Sequence, residues 1–162
     1  MTLASRVEGA NKLNQFIMKD DKVKDFILNT KKRSEITVEN TNSGNYIMYR
    51  FIKSQLKGYL RVQAKIDNDW NQIGYFDTHN RYHVEDNKQY IHQKDIDKLN
   101  SSKLIFQSIV NRYITTLRPF NDIKIHHNGH CSICGKKLST PESIENGIGP
   151  VCEKELNKLL KK

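Results

Sequence analysis

All three cysteines of this 162-residue chain lie between residues 131 and 152, and their spacing is the strongest structural signal in the sequence. Cys131 and Cys134 form a CxxC pair that is followed by Gly135, and 17 residues separate Cys134 from Cys152. A tight CxxCG turn makes two thiolates converge on one ion, as in zinc knuckles. The sequence therefore predicts a small zinc-binding module in which Cys131, Cys134 and Cys152 are three ligands of a structural Zn²⁺ ion.

The residues between the cysteines supply signals for two short helices. The run Ser139-Thr140-Pro141-Glu142 is typical of a capped helix start, and Gly147 lies where such a short helix would end. Pro150 suits the first turn of a closing helix that carries Cys152. The alternatives are unligated thiols in a small core or a disulfide, and an odd number of cysteines with a CxxC favours a metal in a reducing compartment.

The fourth ligand has to come from a histidine or an oxygen donor. The nearby candidates are His126, His127 and His130. His130 adjoins Cys131, and adjacent residues seldom both point at one metal, whereas the three-residue spacer lets His127 return over the knuckle. Spacing favours His127 and leaves His126 and His130 as alternatives.

The remaining hydrophobic patterns predict an α+β fold. Residues 5–29 show helical spacing and predict two short helices that are broken near Lys19. The period then changes to two, which predicts a four-stranded antiparallel meander up to Phe76, followed by a loop over residues 77–98 with room for a short strand around Tyr82 to Val84. A long amphipathic helix is expected from Ser101 or Ser102 to Pro119, and it should pack on the apolar face of the sheet.

The apolar face predicted for this helix consists of Leu104, Ile105, Ile109, Tyr113, Ile114 and Leu117. The segment after Pro119 changes in character from amphipathic helix to cysteine module. We therefore expect two units, an α+β domain over residues 1–119 and a zinc-binding module over residues 120–162.

The net charge of +9 is concentrated in one part of the chain. Residues 31–66 hold eight basic side chains against two acidic ones. Such a patch attracts polyanions through phosphate neutralisation, although a merely soluble surface is the alternative. The residues predicted to bind nucleic acid are Lys31, Lys32, Arg33, Arg50, Lys53, Lys57, Tyr59, Arg61 and Lys65, with Lys136 and Lys137 from the zinc module.

Other functional classes find little support in the sequence. No apolar stretch near Met1 is long enough for a signal peptide or a membrane span, so a cytoplasmic protein without membrane contacts is expected. The HxE and PCxxC signature of zinc deaminases is missing, and four protein ligands would leave no position for a metal-bound water. The chain is therefore predicted to have no enzymatic activity, and no particular oligomeric state is indicated.

The string HNGHCSICGKKLSTPESIENGIGPVC, residues 127–152, resembles the terminal motif of a family described only as a domain of unknown function, found in bacteriophage and mobile-element proteins. The motif, H-x-G-x-C-x-x-C-G-x-x-L, continues with PxSI and GxGPxC. The family's histidine falls on His127, so the resemblance implies His127 as the fourth ligand. It also implies a phage or mobile-element origin, but no activity.

Two functions follow as expectations. The first is a non-catalytic, zinc-containing accessory protein that binds nucleic acid through the basic strands and their tyrosines. The second is a small viral protein that binds a host protein, such as a nuclease or polymerase, and inhibits or redirects it in the host cytoplasm.

Overall fold

The computed structural model describes residues 16–55, 57–86 and 93–160. Its centre is a seven-stranded sheet with the strand order β1-β7-β2-β3-β4-β5-β6, and every neighbouring pair is antiparallel. The strands are β1 (Phe16–Ile17), β2 (Arg33–Asn40), β3 (Tyr46–Lys53), β4 (Leu60–Ile66), β5 (Asp69–Phe76), β6 (Tyr82–Val84) and β7 (Ile123–His127). The helices are α1 (Val23–Leu28), α2 (Gln93–Ile109), α3 (Pro141–Asn146) and α4 (Pro150–Leu160).

The four predicted strands are all present as β2 to β5, and each pairs with the next. A four-stranded sheet is nevertheless wrong, because the described residues form seven strands. The short strand β6, which was expected, extends the sheet beyond β5. On the other side β7 pairs with β2 and β1 pairs with β7, so residues distant in sequence cover the edge that β2 would otherwise expose.

Side chains alternate between the two faces of the sheet, as the period of two predicts. One face is apolar and carries the main core beneath the helices. Tyr49 lies opposite Ala64 and Phe51 lies opposite Val62, and all four side chains are fully buried. The opposite face carries the polar and charged residues of the same strands and is referred to here as the outer face.

The helical prediction for residues 5–29 is correct in part. Helix α1 lies where the second helix was expected, and its Val23, Phe26 and Ile27 are buried in the core. The first predicted helix falls mainly on residues 5–15, which lie outside the described residues. At its end the prediction is wrong, because Phe16–Ile17 forms a strand that pairs with β7.

The long helix begins earlier than predicted, since α2 starts at Gln93, and it continues as a π-helical turn over Val110–Thr115. Its apolar face also differs. Leu104 is 65% exposed and Leu117 is 59% exposed. The buried stripe follows spacings of three and four that begin one turn earlier in the chain, and it consists of Leu99, Ser102, Phe106, Ile109 and Tyr113.

The C-terminal segment is attached to the sheet through several backbone contacts. Strand β7 lies within the sheet between β1 and β2, although the sequence assigned residues 120–162 to a separate module. The N–H of Lys19 donates to the carbonyl of Glu145, and the N–H of Lys31 donates to the carbonyl of Ser132. A second, smaller apolar cluster around Cys131, Leu138 and Ile148 lies within the cysteine segment. In the described part of the chain, no helix is long and apolar enough to cross a membrane.

Gly147 offers a test of how the cysteine segment packs on α1. Its φ is 70°, and a Cβ at this position would overlap the ring of Phe26. Gly147→Ala should lower the free energy of unfolding by about 2 to 4 kcal/mol, because left-handed strain of about 1 kcal/mol adds to overpacking of about 1 to 3 kcal/mol. Urea denaturation measures this change.

Gly135→Ala is the matched control. The φ of Gly135 is 78°, but nothing lies within 4 Å of the Cβ that would be added. This variant should lose only the strain contribution of about 1 kcal/mol. Equal losses in the two variants would contradict the described packing of Gly147 against Phe26.

Candidate metal centre and basic sheet face

The three cysteines come from two structural elements. Residues 131–135 form a tight turn in which the N–H of Gly135 donates to the carbonyl of Cys131 over 2.9 Å. Gly135 has a φ of 78°, which a residue with a side chain rarely adopts. Cys152 lies in the first turn of α4, as Pro150 predicted. The local sequence therefore folds a knuckle and a helix start toward each other.

Helix α3 lies between the two elements in the chain. Thr140 and Ser143 form a capping box at its start, with Pro141 as the first helical residue. Gly147 ends the helix in the left-handed conformation. The capped start and the end at Gly147 were both predicted from the sequence, and both predictions are confirmed. The chain then turns at Gly149 into α4.

The three sulfur atoms lie within 4.8 Å of one another. In a tetrahedral zinc site with Zn–S bonds of about 2.3 Å, sulfur atoms are about 3.8 Å apart. The cysteines therefore need only small side-chain adjustments to enclose one ion. Cys131 is buried, Cys152 is partly buried and Cys134 is exposed, so the group lies at the protein surface.

The ionisation of the thiols depends on their surroundings. Burial disfavours the Cys131 thiolate, but backbone N–H groups of Cys134, Gly149 and Ile133 donate to it and lower its pKa. The bond from Gly149 N to Cys131 Sγ measures 3.3 Å. Burial and the neighbouring thiols of Cys134 and Cys131 raise the pKa of Cys152 to about 12. Thiolates this close repel one another, and a divalent cation would offset that repulsion.

The structure does not bring His127 to the three cysteines. Its side chain is buried between the rings of Phe16 and Phe26, on the inner face of the sheet. Its Nε2 bonds to the carbonyl of Ile144, and its Nδ1 accepts from the N–H of Gly129. This pattern corresponds to a neutral Nε2–H imidazole. Burial lowers the pKa of His127 below the ordinary value of a histidine, which also favours the neutral ring. Both ring nitrogens thus have backbone partners away from the cysteines, and the ligand role of His127 stays a prediction.

The two alternative histidines also have other partners. His126 lies on the outer face, where its Nε2 is 2.8 Å from the carboxylate of Glu39, and both side chains are buried. His130 is exposed, and its Nδ1 is 3.2 Å from the carbonyl of Gly135. In residues 16–55, 57–86 and 93–160, the cysteines are the one group of three or more potential ligands within this distance.

The predicted basic residues fall into three groups. The first group lies on the outer face and consists of Arg33, Arg50, Arg61 and Lys65. Arg33 and Arg61 lie on either side of Ile52, on the two strands that neighbour β3, and Arg50 bonds to Gln63. Lys31, Lys32, Lys53 and Lys57 lie in loops or at a strand end, outside that row. Lys136 and Lys137 follow the knuckle, beside the cysteines.

An aromatic stack lies on the outer face next to Arg61. Tyr59 stacks on Tyr75 with ring centroids 5.0 Å apart, and Tyr75 stacks on His83 at 4.9 Å. His83 Nε2 lies 2.8 Å from Asp77, and this hydrogen bond is the main cause that lowers the pKa of Asp77 to about 2. Tyr59 is among the predicted nucleic-acid-binding residues, whereas His83 is not, because its place depends on the pairing of β6 with β5.

Trp70 is a second outer-face residue that the sequence analysis did not assign to binding. The guanidinium of Arg50 lies 4.4 Å from the centroid of its ring, and the ammonium of Lys65 lies 5.9 Å from it. These are cation–π distances. In the sequence, the signal that could have found Trp70 was the period-two alternation of its strand. In the structure, Trp70 lies opposite Lys65.

Comparison with known proteins adds one finding. Residues 126–157 match a family of unknown function, DUF6011. The match covers the last two residues of β7, the knuckle, α3 and most of α4, so it includes the cysteine site but only the end of one strand of the sheet. No curated protein and no solved structure matches the chain.

Two variants separate a ligand from a structural residue. Cys134→Ala removes an exposed thiol and should abolish stoichiometric Zn²⁺ binding, because two thiolates hold the ion poorly. His127→Ala should keep one Zn²⁺ per chain but lower the free energy of unfolding by about 2 to 4 kcal/mol, since it removes a buried ring and its hydrogen bonds. Competition with a chromophoric chelator measures the metal, and urea denaturation measures stability. A folded His127→Ala protein that loses Zn²⁺ as fully as Cys134→Ala would contradict this geometry.

Proposed function

We propose that this protein is a non-catalytic, zinc-containing accessory protein that binds nucleic acid through the outer face of its sheet. The metal holds the C-terminal segment in shape, and the outer face supplies the contacts. The observation that carries the proposal is the aromatic stack of Tyr59, Tyr75 and His83 beside the outer-face cations.

The cations and the stack form one continuous surface. Across the sheet, Arg61 lies directly opposite Tyr75, and Tyr75 lies opposite His83. Lys65 lies opposite Trp70 on the same pair of strands. A ligand that runs along this face would meet positive charge and aromatic rings in turn. Phosphates and bases alternate in the same way along a nucleic-acid strand.

The acidic residues of the basic region weaken this surface little. Glu39 is buried with His126 at the β2 and β7 side of the sheet. Glu35 lies opposite Arg50, and its charge favours the protonated guanidinium, although burial is the main cause that lowers the pKa of Arg50. The charge of Arg61 and Lys65 on β4 is thus retained, while Glu85 and Asp77, bonded to Gln72 and His83, add negative charge on the β5 and β6 side.

The shape of the surface favours an unpaired strand. Tyr59, Tyr75 and His83 already stack on one another, and an exposed ring at the end of such a stack can receive a base. Stacking of a base on an aromatic side chain contributes about 1 to 3 kcal/mol and requires a base that is not paired in a duplex. Arg61 and Lys65 would then contact phosphates on either side.

Zinc is the metal that suits the cysteine group best. Thiolates are soft ligands, and a site that is rich in cysteine with tetrahedral spacing is typical of Zn²⁺. One ion bound by Cys131, Cys134 and Cys152 would join the knuckle to the first turn of α4. The backbone N–H of Gly149 orients the sulfur of Cys131 and belongs to the surrounding support of such a site.

A protein partner is the second candidate function. An acidic host protein would contact the same cations, but attraction between opposite charges does not require three stacked rings. The stack therefore favours nucleic acid as the partner. A pull-down from lysate with nuclease treatment separates the two functions, because one stoichiometric protein that survives the nuclease would favour the second.

Substitutions on the outer face should weaken binding to a fluorescein-labelled single strand, measured by anisotropy. Lys65→Gln removes one outer-face charge, while Lys24→Gln removes the same charge from the exposed side of α1, beneath the other face of the sheet. Lys65→Gln should lower affinity about three- to tenfold at low salt and reduce the salt slope by about one, and Lys24→Gln should change neither strongly.

Tyr59→Leu tests the aromatic contribution at constant charge, because Tyr59 is an end ring of the stack. Loss of a stacked base should lower affinity for the single strand by roughly fivefold or more while the salt slope stays unchanged. Equal effects of Lys65→Gln and Lys24→Gln, or no binding by the parent protein at low salt, would contradict the proposal.

A further inference from the structure

A cavity of about 350 Å³ adjoins the three cysteines. All three line it, together with Lys136 and Lys137 after the knuckle and Val151 in the first turn of α4. Val151 is 73% exposed, so the cavity is open to solvent on this side of the helix. A water molecule needs about 30 Å³, and small-molecule pockets start at about 300 Å³. The space beside the sulfur atoms therefore exceeds what a single water molecule requires.

The described residues supply three ligands where a tetrahedral ion takes four. His127, His126 and His130 have the partners given above. Glu153, on the same helix as Cys152, bonds to Lys22 and Asn146. Zinc sites with three protein ligands characteristically keep the fourth position for a molecule that exchanges with solvent.

The charge around the cysteines indicates what that molecule would be. A divalent ion with three thiolates carries a net charge of −1, and Lys136 and Lys137 add two positive charges at the cavity wall. A fourth, anionic donor is thus balanced by the two ammonium groups. The cavity wall also includes Leu138 and Pro150, which can contact an apolar body.

We propose that the fourth coordination position of the bound metal faces this cavity and takes a small anion from outside the chain, with Lys136 and Lys137 as the residues that attract it. The inference rests on the metal binding proposed above, but not on nucleic-acid binding. It gives the cysteine site a ligand-binding role in addition to its structural one.

Cobalt makes the fourth position visible. The full-length protein is loaded with Co²⁺, which reports its ligands through visible d–d bands and a sulfur-to-cobalt charge-transfer band. Titration with azide should shift the d–d bands in a saturable way while the charge-transfer band persists, because azide enters the open position and the three thiolates stay bound. Lys136→Gln/Lys137→Gln should keep one Co²⁺ per chain and weaken the apparent azide affinity at least about tenfold.

Glu155→Gln is the control for an internal ligand. Glu155 lies one turn after Cys152 on α4, on the same face as Val151. If its carboxylate filled the fourth position, Glu155→Gln would change the spectrum recorded without azide. Azide would then shift the bands of the variant only, because the parent protein would have no open position. That result would overturn the inference.

Two further outcomes separate the inference from the metal site. A protein that binds one Co²⁺ but keeps its spectrum unchanged in excess azide has a closed site, which overturns the inference and leaves the proposed metal binding intact. A protein that binds no Co²⁺ or Zn²⁺ overturns both.

Discussion

Three thiols that meet within 4.8 Å are the constraint on which the cysteine segment of this structure depends. As thiolates they repel one another, so the arrangement is favourable only when a cation balances their charge. An ion bound there links a four-residue turn to the first turn of α4 and closes the loop that contains α3. The backbone contact between Lys19 and Glu145 and the close approach of Gly147 to Phe26 then connect this loop to α1 and the main core.

In the proposed function, the sheet separates stability from recognition. Its inner face is filled by α1 and α2 and holds the main core, where Tyr49 and Phe106 pack with ring centroids 4.9 Å apart. Its outer face carries Arg61, Tyr75 and Trp70, whose partners are other polar or aromatic side chains of the same face. Substitutions on the outer face can therefore alter binding without loss of the core.

Local signals predicted the parts of the fold that local interactions determine. The alternation of apolar and polar residues predicted β2 to β5, and the cap signal at Thr140 together with Gly147 predicted α3. Each of these signals acts within a few residues. Strands β1 and β7 were not predicted, since β1 has two residues and β7 pairs with strands that are far away in the sequence. In α2 the apolar Leu104 misled the prediction, because the register of the helix on the sheet is fixed by Leu99 and Phe106.

The cysteines were predictable because CxxCG is a local turn, whereas the role of His127 depends on the carbonyl of Ile144, which sequence spacing cannot place. X-ray absorption at the zinc edge of the loaded protein tests the account most directly. The account predicts three sulfur atoms at about 2.3 Å and one nitrogen or oxygen atom at about 2.0 Å, without the outer-shell scattering of an imidazole ring. A fourth sulfur atom, an imidazole signal or a protein that retains no zinc would contradict it.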